Sequence, residues 1–170
     1  MQEWLHFVDR WFWLGIGAIG FAILFNVPRR TILTIFLLGA FGGTLKFVVL
    51  AAGGGIILGS FFGAMLVGFA GIIAAHQTHT PPFVLSIPAV IPMVPGAFAY
   101  RAMLGVIHLT EKIEPATFQK LLEETVDNGL KAFFVLAALS LGVSAPMLIF
   151  RRDSAKNLTV RIKLDELKPK

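Results

Sequence analysis

The sequence contains no cysteine. Disulfide staples, thiolate metal sites and cysteine nucleophiles are therefore excluded together, and the redox compartment is left unreadable. Charge is also scarce: 15% of the 170 residues are Asp, Glu, Lys or Arg, against 56% hydrophobic, and mean hydropathy is +0.77. A soluble domain of this size has too much surface for so few charges to cover, so the excess apolar area belongs against lipid or other subunits. Acids are the rarest class, 10 against 15 Lys and Arg, and none falls inside the apolar runs described below. Nucleophile elbows, phosphate loops and paired catalytic carboxylates are missing too. No catalytic residue, metal or cofactor is expected, and the chain does not read as an enzyme. Its net charge of +5 would suggest nucleic acid in a soluble protein. Here the cations gather beside hydrophobic runs and in the tail, where orientation in a bilayer explains them and no nucleic acid is needed.

What is abundant fits a membrane. The 17 Gly let helices approach closely, and the 16 Phe fill lipid-facing and interhelical volume. Crossing about 30 Å of hydrocarbon takes about 20 apolar residues, and five runs of that kind appear, at 11–27, 31–52, 56–75, 83–109 and 130–150. The first is entered through Trp4, Trp11 and Trp13 and closed by Pro28, Arg29 and Arg30. Glu3 and Asp9 stand where a cleavable signal would be positive, so this segment is expected to stay attached. Between the last two runs, Phe118, Leu121, Leu122 and Val126 recur at helical spacing opposite Gln119, Lys120, Glu123, Glu124 and Asp127. That pattern predicts a short amphipathic helix over 111–127, lying on the membrane surface with Pro115 near its first turn. The expected architecture is an all-α integral membrane protein of about five transmembrane helices, the fourth broken, plus this interfacial helix. Residues 1–152 form the transmembrane domain and 153–170 a tail.

Five spans put the termini on opposite sides. Loop 28–31 and the tail share Arg29, Arg30, Arg151, Arg152, Lys156, Arg161, Lys163, Lys168 and Lys170, while Arg10, Lys112, Lys120 and Lys131 fall on the other side. The positive-inside rule then places the N-terminus outside and the tail in the cytoplasm. A four-span arrangement, in which the fourth segment dips in and returns, would spoil this asymmetry. Within the tail, the alternation Leu158, Val160, Ile162, Leu164 reads as a frayed end or a strand offered to a partner.

The most informative stretch is 87–101, where Pro88, Pro92 and Pro95-Gly96 precede Tyr100 and Arg101. Three prolines in eight residues remove three backbone donors and clash with preceding carbonyls, so no continuous α-helix survives there. Freed backbone groups inside lipid are costly unless protein or a watery cavity receives them. Broken helices of this kind build the midplane sites of secondary transporters, with a half-helix N-terminus facing an anion. Arg101 is the cation beside the break, and its guanidinium fork suits a carboxylate; the bland role is to satisfy carbonyls released by the prolines. Lys46 lies about 24 Å along the second helix from Arg30 and either snorkels to the outer headgroups or lines the site. The candidate substrate-binding set is Lys46, Pro92, Pro95, Gly96, Tyr100 and Arg101. Small-residue spacings at Gly39/Gly43, Gly59/Gly63, Ala64/Gly68 and Ala138/Gly142 mark helix contacts. His76 and His79 form a His-x-x-His in the loop before Pro81, read as a solvated loop, not a metal site.

At Phe25-Asn26-Val27-Pro28, along 65–68 and 87–96 with Tyr100, and around Ser140-Leu141-Gly142, the chain resembles the small, five-span subunit of the threonine/serine exporter family in its split, two-component form. The match covers residues 10 to 152. The resemblance implies a secondary-type exporter of small amino acids or related carboxylates, threonine/serine-like or dicarboxylate, in the bacterial inner membrane. It further implies a larger exporter-family membrane subunit as partner, beside the lipid bilayer and a small anionic or zwitterionic substrate; alone, the chain would form a homo-oligomer. The alternative is an assembly subunit whose partner carries the substrate path. For topology the expected outcome is specific: single cysteines introduced at positions 3 and 156 label from outside and from the cytoplasm respectively, and labelling of both from one side contradicts five spans.

Overall fold

A computed structural model describes residues 2–111 and 115–150, with side chains described for 8–111 and 117–150. Among the described residues six α-helices form: α1 Gln2–Leu24, α2 Ile32–Ala51, α3 Ile56–Thr78, α4 Pro82–Val90, α5 Gly96–Leu109 and α6 Pro115–Phe150. Short 3-10 turns precede α2 (Arg29–Thr31) and follow α4 (Ile91–Met93). Among the described residues, three helices are long and apolar enough to cross a membrane, and the bent pair Pro82–Met93 and Gly96–Leu109 makes a fourth if taken as one span. The chain is a multi-pass, all-α membrane protein.

Three of the helices end by the same local device. The amides of Val27, Gly54 and Thr80 each reach back five residues, to the carbonyls of Ala22, Val49 and Ala75. The residue before each amide, Asn26, Gly53 or His79, is left-handed, and this satisfies terminal carbonyls that would otherwise face lipid. Tight closures set neighbouring helices antiparallel. In the α1/α2 pair Arg10 stacks on Phe47, and the sites of Gly43 and Gly39 face Leu14 and Ala18. In the α2/α3 pair Gly42 faces Gly63 and Val67, and Gly59 faces Lys46 and Leu50. α4 returns antiparallel to α3, with Ser86 on Gly71 and Met93 on Gly63. α6 runs parallel to α3, because Gly142 meets Phe61 and Ala64 while Gly68 meets Val143 and Pro146. So α1, α3 and α6 point one way and α2 and α4 the other.

The small-residue spacings do the work expected of them, each against a different neighbour. Gly39 and Gly43 admit α1, Gly59 and Gly63 admit α2, and Gly68 and Gly142 bring α3 and α6 together. These seams carry dispersion contact that lipid cannot outcompete. Around them sits a core of Ile35, Leu85, Val67, Met93 and Val135, all buried.

Two expectations change. The interfacial helix over 111–127 and the span over 130–150 are one continuous 36-residue helix, α6. Asn128-Gly129 reads as a boundary in sequence, but the Asn128 side chain caps nothing new; its Nδ2 donates to the Glu124 carbonyl within the helix, and Lys131 pairs with Asp127 at i,i+4. One side of this segment meets α5: Thr125 packs on Gly105, Ala102 approaches Gly129, and Lys131 lies 5.9 Å from the Phe98 ring centroid. Phe118, Leu122 and Val126 of the apolar stripe stay exposed. The third run also extends three residues beyond expectation, to Thr78, before His79 ends it. The break in the fourth segment is present, with a 58° bend between its halves. At that angle the halves advance together about 30 Å along the first axis, roughly a hydrocarbon thickness. The tail reading at 153–170 lies outside the described residues.

The seams make a stability contrast testable. A Cβ on Gly63 would stand 2.6 Å from the Gly42 carbonyl oxygen and 3.1 Å from Met93 Sδ, whereas one on Gly20 meets nothing within 4 Å. Gly63→Ala is expected to lose about 1–3 kcal/mol by forcing α2 and α3 apart. Gly20→Ala is expected to be neutral or to gain up to about 1 kcal/mol from reduced chain entropy. Thermal unfolding in detergent measures both, and equal midpoints contradict the seam.

Candidate functional site

The site is built where the prolines break the fourth segment. Pro88 lies inside α4, Pro92 inside the 3-10 turn, and Pro95 caps α5. Val94 is extended at ψ 135°, so the chain leaves helical geometry for one step before α5 begins. Part of the freed backbone is satisfied locally: Gly96 N–H donates to Val94 O, and the Phe98 and Ala99 N–H groups donate to Pro95 O. The N-terminus of α5 thereby turns several of its donors inward, leaving fewer for an anion than the sequence pattern suggests.

The Met93 carbonyl is satisfied differently. Lys46 Nζ donates to it across 2.9 Å, from a side chain only 7% exposed. Lys46 reaches it through a slot between α2 and α3. Gly59 and Gly63 line the slot, and a Cβ on either would crowd Lys46 itself. The Met93 side chain, 2% exposed, enters the same slot between Gly42 and Gly63. A glycine seam, a buried lysine and a proline-freed carbonyl thus form one unit. Lys46 does not snorkel. It takes the role of satisfying a released carbonyl, which the sequence offered to Arg101.

The candidate residues divide into two groups. Lys46, Pro92 and Pro95 lie at the junction, with Pro92 beside Gly17 of α1. Gly96, Tyr100 and Arg101 lie on the exposed side of α5, Tyr100 at 60% exposure. Within this chain the Arg101 side chain is exposed, and no hydrogen bond or ion pair holds it among the described residues. The reason is tertiary. After the 58° bend α5 leaves the bundle and packs on the N-terminal half of α6, so its other face is largely open among the described residues.

Three features escaped the sequence reading. Met93 contributes through its carbonyl, which no residue-type motif marks. The buried hydroxyls of Ser60 and Ser86 have no hydrogen-bond partner among the described residues, and Ser86 rests against Gly71 of α3. A cavity of about 270 Å³ opens between the break and α6, with Ile91 and Val94 on one wall and Ser140 and Ser144 on the other. The signal for Lys46 was available, since it stands four residues after Gly42, on the stripe that faces α3. His76 and His79 border a loop hollow of about 300 Å³ with Thr80 and Pro81. There the His76 ring pairs with the Ile72 carbonyl, and Arg30 donates to the His79 carbonyl. No group of three or more His, Cys, Asp or Glu that could hold a metal occurs among the described residues.

Comparison with known proteins gives the context for this geometry. A curated relative, an uncharacterized protein of Haemophilus influenzae, is 30% identical over 139 residues, covering 82% of this chain and 46% of the relative. The chain thus spans about half the length of the curated relative it matches. No solved structure matches. The family described as Threonine/Serine exporter, ThrE, matches residues 10–149, nearly all of the helical bundle and the whole of the broken segment, and the chain therefore belongs to the threonine/serine exporter family.

Proposed function

We propose that the chain is one subunit of a secondary-type exporter that moves small amino acids or related carboxylates out of the cytoplasm across a bacterial inner membrane. It crosses five times, N-terminus outside and C-terminus inside, and completes its path with a larger membrane subunit. The observation that carries this reading is the broken fourth segment with a lysine sealed against it. Irregular backbone at membrane depth is tolerated where protein or a solute cavity receives it, and here both a buried cation and a neighbouring cavity meet the break.

The partner follows from what the chain leaves uncovered. α5 presents Tyr100, Met103 and Val106 outward together with Arg101. An arginine on a face otherwise suited to lipid is expensive unless a second protein surface or a watery path adjoins it. The H. influenzae relative is about twice the length this chain matches, which leaves room for a further portion in the working unit. In this arrangement Arg101 receives the substrate carboxylate as a bidentate fork, with Tyr100 beside it, where the two subunits meet.

One observation favours the assembly reading: the Met93 carbonyl is already satisfied within the chain, as a purely structural kink requires. Transport measurements on assembled complexes separate the two. Arg101→Lys keeps the charge but loses the fork, so export per assembled complex is expected to fall at least about tenfold, and Arg101→Ala to abolish it. Normal export per complex in Arg101→Ala removes this residue from the path. Without its partner the chain is expected to accumulate poorly or as a homo-oligomer, because α5 and the break side of α4 remain uncovered. A well-behaved monomer that transports by itself after reconstitution contradicts the two-subunit reading.

A further inference from the structure

Lys46 is more than a satisfied core residue in three respects. First, its Nζ carries up to three donors and makes one hydrogen bond among the described residues, to Met93 O. Second, no acid occurs anywhere between Asp9 and Glu111. The elements packed around the slot offer it no countercharge: α3 presents Gly59 and Gly63, and the 3-10 turn presents Met93. The nearest cation on α1, Arg10, is engaged with the ring of Phe47. A buried cation with spare donors and no anion retains a strong pull on any carboxylate that reaches it. Third, the group it holds belongs to the one stretch of the fourth segment that no continuous helical ladder fixes, between the 3-10 turn and the Pro95 cap. What seats that stretch against α2 and α3 is the Met93 side chain in the glycine slot and the single bond from Lys46.

We propose that Lys46 is a latch on the break, released by a ligand carboxylate that takes the ε-ammonium away from the Met93 carbonyl. With Nζ on Met93 O, the break is seated and the slot is closed. A carboxylate arriving at the break offers Nζ a charged acceptor in place of a neutral one, which adds Coulomb attraction between opposite charges to a bond the ammonium already strengthens. The Met93 carbonyl then loses its donor in a dry setting, a cost that favours movement of the 3-10 turn toward water or the ammonium of a zwitterionic ligand. Ligand binding is thereby converted into motion of the half-helix α5, because the latch holds the residues that join α5 to α4. The identity of the ligand rests on the exporter reading; the latch itself does not.

The absence of cysteine makes Met93→Cys the sole thiol in the full chain, and its rate of modification by a small maleimide in native membranes reports how often the slot opens. Modification is expected to be slow with Lys46 in place, about tenfold faster with Lys46→Met, as loss of one buried hydrogen bond allows, and slow again with Lys46→Arg. In the chain that keeps Lys46, saturating L-threonine or L-serine is expected to accelerate modification, whereas L-threonine methyl ester, which lacks the carboxylate, is not. This arm needs no change at position 46 and is readable even where Lys46→Met fails to accumulate. Equal rates in Lys46 and Lys46→Met chains overturn the latch. Acceleration by the ester, or by neither compound, overturns carboxylate release. If threonine is exported normally while modification never responds to it, the latch is wrong and the exporter reading stands. If threonine is neither exported nor accelerates modification although Lys46→Met does, the exporter reading and the trigger fall together and a structural tether remains.

Discussion

A backbone carbonyl inside a bilayer must find a donor, and the hydrogen bond from Lys46 to Met93 is how this chain meets that demand where its prolines create it. An unsatisfied carbonyl in hydrocarbon costs several kcal/mol, on the order of a whole protein's margin of stability. The rest of the arrangement makes that one bond possible. Lys46 can reach the break because Gly59 and Gly63 leave room for its stem, and Met93 can be reached because Gly42 and Gly63 let its side chain enter between α2 and α3. The glycine seam therefore has two functions at once, holding two helices close and forming the channel through which a charged side chain crosses to a third.

The same geometry gives the two cations of the candidate set opposite surroundings. Lys46 is turned inward on a helix packed on both flanks, while Arg101 is carried outward by the 58° bend onto a helix with one neighbour. The α5 and N-terminal α6 pair stands apart from the core of α1 to α4 and the later part of α6. Its outer surface, with Tyr100, Met103, Phe118 and Leu122 exposed, suits lipid everywhere except at the guanidinium. Charge, and not apolar area, is the costly feature of this surface in a bilayer, because apolar area alone has no cost against lipid tails.

The elements governed by the solvent were legible in the sequence. Runs 31–52 and 56–75 correspond to α2 and α3 because bilayer thickness dictates length and composition, and the small-residue spacings found their seams because close approach demands small side chains. The break at 88–96 was legible for a stereochemical reason, since proline cannot donate. What escaped was set by tertiary neighbours. Asn128-Gly129 looked like a helix boundary, and nothing local announced that α5 would cover Gly129 and let α6 continue. The depth of Lys46 along α2 could be counted, but whether it turned toward lipid or toward the break depended on where Met93 would lie. Which way Arg101 would turn could not be read from sequence, because the direction α5 takes after Pro95 follows from packing and not from the prolines themselves.

The missing acids then acquire a physical meaning. From Arg10 to Thr110 the sequence holds no Asp or Glu, so no carboxylate of this stretch balances its cations. In a low-dielectric interior that imbalance persists only where a cation reaches water, binds neutral acceptors, or meets an anion from elsewhere. Arg29 and Arg30 take the first course at a helix end, and Lys46 takes the second at Met93. Neutral acceptors leave a buried ammonium incompletely satisfied, so the third course stays energetically open to Lys46 for as long as its spare donors are unfilled. A carboxylate that came to this bundle would find the unmet charge at the point where the fourth helix is already divided.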